Sequence, residues 1–169
     1  MAGNHDQPKD PREPAHLEPA LRPLPGVACV TSKYKQVPLA DFVDTVGASE
    51  ELRDVIVHCL PHDALKRGRE EWDDVTPVPG KTNLLVSHGV VGGAKLYTRH
   101  VGREYAIPSE VLGRGWDYVA LGHWHKPGPV AVAGMTEATT RVWYAGSTEH
   151  CGFSDVREDT PAAATCRSR

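Results

Sequence analysis

The chain has 169 residues, of which 40% are hydrophobic and 24% charged, and its formal net charge is −3. This composition is typical of a globular domain that buries a core, and it excludes disordered and collagen-like chains. The small negative charge argues against a dedicated basic nucleic-acid-binding module. The apolar runs are far shorter than the roughly 20 residues of a membrane span, and the N-terminus has no signal-peptide core. We therefore expect a cytoplasmic protein with no membrane partner.

The first 40 residues predict little regular structure. Prolines are frequent between residues 7 and 25, which predicts a loop with at most a short helix over Ala15 to Arg22. Extended segments are predicted at Gly26 to Thr31 and near Gln36 to Leu39.

The middle of the chain predicts buried strands alternating with a helix. Asp54 to Leu60 is an apolar run that Pro61 stops, and Asn83 to Ser87 is a second apolar run. Between them, His62 to Val75 is charged with a few apolar positions, which predicts a surface helix.

The last third predicts a third buried strand and a closing hairpin. Ser109 is expected to cap a short helix through Leu112, and Asp117 to Leu121 is the third buried strand. Val130 to Ala133 and Thr140 to Tyr144 predict an antiparallel pair.

Strands that alternate with helices before a hairpin predict an α/β fold. Residues 1–156 are expected to form one domain, and residues 157–169 a loose tail. The cysteines show no CxxC pair, which predicts reduced thiols rather than a disulfide framework or a zinc ribbon: Cys29, Cys59, Cys151 and Cys166.

Two of the three buried strands end in histidine. His88 follows the second strand, and Gly122, His123 and, two residues later, His125 follow the third strand. Catalytic groups gather at the carboxyl ends of strands in open α/β sheets, and residues two apart in an extended stretch project to the same side. His123 and His125 would then offer neutral imidazoles to one metal site. The alternative is that each is a partly buried structural histidine.

The remaining histidines lack this context. We expect His58 in the core, and the others at the surface: His16, His62, His100 and His150.

The N-terminal Gly3-Asn4-His5-Asp6 is a second candidate site element. The Asn4 amide oxygen is a possible metal ligand, His5 is a possible proton donor, and Asp6 is a carboxylate that can orient an imidazole. The alternative is an unstructured terminal tail.

These motifs together resemble the calcineurin-like metallophosphoesterases, in which GNH[DE], a strand-end histidine and GHxH follow one another. They stand here in that order at residues 3–6, 87–88 and 122–125. The longer YVALGHWHKP at 118–127, with YAGS at 144–147 and GFSD at 152–155, resembles the nuclease subunit of SbcCD-type DNA repair complexes. The resemblance covers residues 3 to 156.

The resemblance implies a sandwich of two sheets flanked by helices and a site for two divalent ions, usually Mn²⁺ and sometimes Fe or Zn. Carried over by motif, Asn4, His88 and His123 would bind one ion and His125 the other. His5 would act beside the scissile phosphate as general acid or charge stabiliser, with Asp6 holding its ring.

The implied activity is hydrolysis of DNA phosphodiesters by metal-activated water, as in DNA repair exonucleases. The implied partners are DNA, an SbcC-like ATPase subunit and a second copy of the chain. Lys95, Arg99 and Arg103 lie in a polar loop between Gly92 and Ile107 and are candidates for contacting the nucleic-acid backbone. The alternative is a solvated loop.

The sequence also departs from the family. The DxH and GDxxD motifs, which supply the bridging carboxylate and other ligands of the second ion, do not stand in it, and the N-terminal strands that carry them are missing. We therefore expect this chain alone to be inactive or nearly so. Two alternatives stay open, a phosphoesterase of the same fold for small nucleotides or phosphoproteins, and a non-catalytic truncated remnant.

Overall fold

The protein is described from a computed structural model that covers residues 1–3, 5–6, 10, 12–42, 49–91, 105–132 and 141–147. Within these ranges the chain is a mixed α/β structure, which confirms the expected class. No helix among the described residues is long and apolar enough to cross a membrane.

A six-stranded sheet organises the chain. Its strands are β1 Lys35–Pro38, β2 Val55–Leu60, β3 Thr82–His88, β6 Tyr118–Gly122, β7 Gly128–Pro129 and β8 Val142–Tyr144. Their spatial order is β1-β2-β3-β6-β8-β7. The strands β2, β3, β6 and β8 run parallel, while β1 and β7 close the two edges in antiparallel pairing. A second, two-stranded parallel sheet joins β4 Val90–Val91 to β5 Ala106–Ile107.

The helices are short. α-Helices cover Glu18–Leu21, His62–Arg67 and Ser109–Leu112, and 3₁₀ turns cover Glu50–Asp54 and Arg69–Glu71. The first helix precedes β1, and the other helices and both 3₁₀ turns lie in connections between strands.

The two faces of the six-stranded sheet differ in burial. Registered rows such as Leu60–Ser87–Leu121–Tyr144 lie on a core face and are buried. The alternate row Cys59–Val86–Ala120–Trp143 lies on a second face, where Trp143 is 37% exposed. The main core lies on the core face under the helix that starts at His62 and the helix that starts at Ser109.

The N-terminal segment reaches the strand ends. The backbone N–H of Ala2 donates to the Val30 carbonyl at 3.0 Å, and the N–H of His62 approaches the Ala2 carbonyl at 3.5 Å. Val30 also packs with Val37 and Cys59 in a small cluster at the β1–β2 edge. This placement brings residues 1–3 next to the carboxyl ends of β2 and β3.

Several predicted elements differ in the structure. Residues 27–31 are not in a strand, although the Val30 carbonyl accepts the N–H of Ala2 at 3.0 Å. The helix predicted to reach Val75 ends at Arg67, because Gly68 leaves helical conformation at φ 98°. Ser109 does not cap its helix: Pro108 occupies the cap position, with no side-chain hydrogen bond.

The closing hairpin is antiparallel, as expected, but its first strand is β7 at Gly128–Pro129 rather than Val130–Ala133. Directly after β7, the N–H of Val130 donates to the Val142 carbonyl at 2.9 Å. The predicted tail at 157–169 lies outside the described residues.

Candidate functional site

Three neighbouring parallel strands each deliver a histidine at the same edge of the sheet. His88 is the last residue of β3, His123 directly follows β6, and His62 stands two residues after β2. The ring centres of His88 and His123 lie 5.3 Å apart, and those of His62 and His88 lie 6.3 Å apart, both edge to face. The carboxyl ends of parallel strands meet at one edge, which is why residues distant in sequence converge here.

His62 corrects the sequence interpretation, which placed it at the surface. It is only 6% exposed and packs edge to face on Tyr105, with ring centres 5.2 Å apart. The signal for it was present, because Leu60-Pro61-His62 follows the first buried strand as His88 ends the second. His58 is fully buried and His16 exposed, as expected.

Two glycines hold the imidazole of His88. A Cβ added at Gly3 would lie 2.8–2.9 Å from three atoms of the ring, so Gly3 approaches the ring too closely for any side chain at this position. A Cβ at Gly122 would lie 2.8 Å from Nδ1 of the same ring. The first motif of the chain and the GHxH motif therefore both contact the histidine between them.

His88 is neutral at physiological pH. Burial lowers its pKa to about 4, and the neighbouring His123, His62 and His5 add to the shift, while Asp6 opposes it. Removal of the ring from water disfavours the charged form. A neutral imidazole is the form that binds a metal ion.

Two hydrogen bonds join Asp6 to Gly3 and form a turn between them. The Asp6 carboxylate accepts the Gly3 N–H at 2.9 Å, and the N–H of Asp6 donates to the Gly3 carbonyl at 3.3 Å. His5 is exposed beside this turn, and Asn4 lies outside the described residues. Asp6 is thus placed to shape the turn that packs on His88.

The GHWH segment does not continue the strand. His123 adopts φ 96°, a left-handed conformation that is uncommon for a residue with a side chain. The sequence analysis placed His123 and His125 on the same side of an extended stretch, and this prediction is therefore wrong. Trp124 packs against the main core, and the side chain of His125 is exposed. The carbonyl of His125 accepts the N–H of Ser147 at 2.9 Å, which ties this segment to the end of β8.

A buried hydroxyl fixes the turn after His88. Tyr144 donates to the Gly89 carbonyl at 2.9 Å and accepts the Val91 N–H at 3.0 Å. Burial raises the pKa of Tyr144 to about 12, so the hydroxyl remains a donor at all ordinary pH values. The backbone on the carboxyl side of His88 is thus as tightly held as its ring.

The donor chemistry fits a borderline transition cation at the His88–His123 pair. Two imidazoles on one cation, each with a metal–nitrogen distance of about 2.1 Å, place their ring centres roughly 5 Å apart, close to the 5.3 Å seen between His88 and His123. Among the described residues, however, no group of three or more histidine, cysteine or acidic side chains is arranged to hold a metal ion. The described residues therefore supply two candidate imidazole ligands, His88 and His123. The predicted ligand Asn4 lies outside the described residues.

The predicted nucleic-acid contacts Lys95, Arg99 and Arg103 also lie outside the described residues. Tyr105, at the end of that segment, is half-buried against the core and against His62.

Comparison with known proteins returned no matching family model, no matching curated protein and no matching solved structure.

Proposed function

We propose that the chain is a metal-dependent phosphodiester hydrolase of the calcineurin-like type, related to DNA repair exonucleases. One observation carries the proposal: Gly3 and Gly122, from motifs about 120 residues apart, both pack on the ring of His88. An unstructured terminal tail, or histidines with unrelated structural roles, would not explain why both glycines pack on the same ring. The sandwich architecture of that family is part of the same proposal.

Each site residue has a proposed role. His88 and His123, with Asn4, hold one divalent ion, Mn²⁺ first and Fe or Zn as alternatives, and His125 contributes to a second ion. A bound divalent ion supplies charge for the phosphate oxygens and lowers the pKa of water that attacks phosphorus. His5, exposed beside the turn, protonates or stabilises the leaving oxygen. Asp6 keeps that turn closed through Gly3.

The proposed substrate is DNA, bound in part by Lys95, Arg99 and Arg103. The proposed setting is the cytoplasm, with an SbcC-like ATPase subunit and a second copy of the chain as partners. These assignments rest on the motif resemblance.

The first test is Mn²⁺ binding to the full chain by calorimetry. We expect binding that weakens at least tenfold in His88→Ala and in His123→Ala, because each removes one of few ligands. Replacement of the exposed His16 by alanine is the matched control and should leave binding unchanged. No Mn²⁺ binding to the wild-type chain would contradict the proposal.

The second test is cleavage, with Mn²⁺, of linear duplex DNA and of a chromogenic phosphodiester. We expect at most very slow cleavage of duplex DNA, since the DxH and GDxxD motifs are absent, and His5→Ala should abolish it because the leaving oxygen then has no acid. Cleavage of the chromogenic ester alone would favour the alternative of a small-substrate phosphoesterase. Metal binding without any cleavage would favour the non-catalytic remnant.

A further inference from the structure

His62 occupies a place that the motif resemblance leaves unassigned. It comes from β2, the strand next to β3, and its buried ring stands between Tyr105 at 5.2 Å and His88 at 6.3 Å. His123 is the second aromatic neighbour of His88, so the four rings form a row of successive neighbours, Tyr105–His62–His88–His123. The row begins in the main core, where Tyr105 packs, and ends at the GHWH segment.

Gly3 and Gly122 both approach the His88 ring so closely that an added Cβ would clash with it. The rings of His123 and His62 are its aromatic neighbours, at 5.3 and 6.3 Å between ring centres and close to perpendicular to it. Neighbours this close restrict the rotamers that a side chain can adopt.

We propose that His62 is a positioning residue, whose ring fixes the plane of His88 so that His88 and His123 present their nitrogens to one cation. This deepens the proposed function and rests on it. The 6.3 Å between the ring centres of His62 and His88 exceeds the spacing of roughly 5 Å for two imidazoles on one tetrahedral cation, which is why we assign His62 to positioning rather than to binding the ion. Residues that orient a ligand without touching the metal commonly change metal affinity by about 10- to 100-fold.

His62 is anchored by its own helix as well as by the N-terminal segment, where its N–H approaches the Ala2 carbonyl at 3.5 Å. It is the first residue of the helix His62–Arg67, which Pro61 starts directly after β2, and the next residues of that helix, Ala64 and Leu65, are buried in the main core. The position of the His62 ring is therefore set by the same core that carries the sheet.

The test uses Co²⁺ alone as the probe, on the full chain, with two readouts: calorimetric affinity, and the visible absorption that reports the coordination of the ion. The variants are His62→Leu, which fills the site without a planar ring, and His62→Phe, which restores a ring without a nitrogen. Ala64→Gly, in the same helix, is the control for destabilisation. Thermal unfolding of every variant shows that it is folded.

We expect Co²⁺ affinity to fall 10- to 100-fold in His62→Leu, with a changed visible spectrum, and to return to within about threefold of wild type in His62→Phe. Ala64→Gly should bind as wild type does, although it unfolds at a lower temperature.

Three outcomes would overturn the inference. Wild-type affinity and spectrum in His62→Leu would make the ring dispensable. Equal loss in His62→Leu and His62→Phe would mean that a nitrogen, not the ring, is needed. Absence of Co²⁺ binding by the wild-type chain would overturn both this inference and the proposed function, whereas the first two outcomes leave the proposed function standing.

Discussion

The imidazole of His88 is the most constrained side chain of the site. The two glycines next to the ring are needed for different reasons: Gly3 lets the N-terminal segment approach Cε1 and both ring nitrogens, and Gly122 leaves room for Nδ1 next to β6. His88 is registered opposite Gly122, so a side chain at that position would enter the space of the ring. The fixed ring and its depressed pKa both follow from this close packing.

Gly122→Ala should displace the His88 ring, because the added Cβ would lie 2.8 Å from Nδ1. We expect Mn²⁺ affinity to fall at least tenfold and the free energy of unfolding to fall by about 1–3 kcal/mol. Gly128→Ala is the matched control, since nothing lies within 4 Å of its added Cβ. Calorimetric titration and urea unfolding measure the two effects, and an affinity in Gly122→Ala within twofold of wild type would contradict the account.

A second buried histidine, His58, belongs to the core rather than the site. Its Nδ1 lies 2.6 Å from the Tyr34 hydroxyl and its Nε2 lies 2.9 Å from Oδ1 of Asn83. Burial lowers its pKa below the ordinary value of 6.5, although the bond to Asn83 opposes the shift. The folded chain therefore holds this ring neutral under mildly acidic conditions, in which the unfolded chain binds a proton.

The free energy of unfolding should consequently fall as the pH drops below about 6.5, and it should not depend on this group above that pH. His88 contributes in the same direction, so the measured quantity is the difference between the wild type and His58→Gln. We expect the variant to lose less stability than the wild type between pH 7 and pH 5 in urea unfolding. Parallel pH profiles for the two proteins would contradict the depressed pKa of His58.

At the scale of elements, the parallel strands set both the core and the site. Alternation in β3 places Leu85 and Ser87 on the core face and Leu84, Val86 and His88 on the second face. The last position of that alternation is His88, so the register that buries Leu85 also decides on which face the site histidine lies.

The two adjacent leucines of β3 test this assignment. Leu85 is fully buried, so Leu85→Ala should cost about 2–5 kcal/mol of unfolding free energy. Leu84 is half-buried on the second face, so Leu84→Ala should cost less than about 1.5 kcal/mol. Urea unfolding of the pair gives both values, and equal losses would mean that the faces are wrongly assigned.

Sequence patterns predicted the strands that are defined by neighbouring residues in the sequence. The strands β2, β3 and β6 were recognisable as apolar runs of strand length, because Pro61 and glycines bound them. The apparent strand at Gly26–Thr31 has the same pattern, but a strand also needs a partner, and none of its residues is in a strand in the structure. The helix after His62 was predicted too long because Gly68, at φ 98°, was not recognised as its end.

At the scale of the whole molecule, the site depends on contacts between distant parts of the chain. Residues 3, 62, 88, 122 and 123 meet at one sheet edge, although they span 120 positions. The convergence of His88 and His123 was predictable from the rule that strand ends of a parallel sheet gather ligands. The position of His62 after β2 was a signal in the sequence, but its burial was not predictable, because it depends on how the N-terminal segment and Tyr105 pack near it. The positive φ of His123 gave no signal in the sequence pattern.

The most direct test of the account is a Zn²⁺ titration of the full chain followed by ring nitrogen chemical shifts of its histidines. The account predicts that one ring nitrogen of His88 and one of His123 shift together and saturate at the same Zn²⁺ concentration, because both bind one ion. The buried His58 and the exposed His16 serve as internal controls and should not shift. Unchanged ring nitrogens of His88 and His123 at saturating Zn²⁺ would contradict the central claim that these strand-end histidines form one metal site.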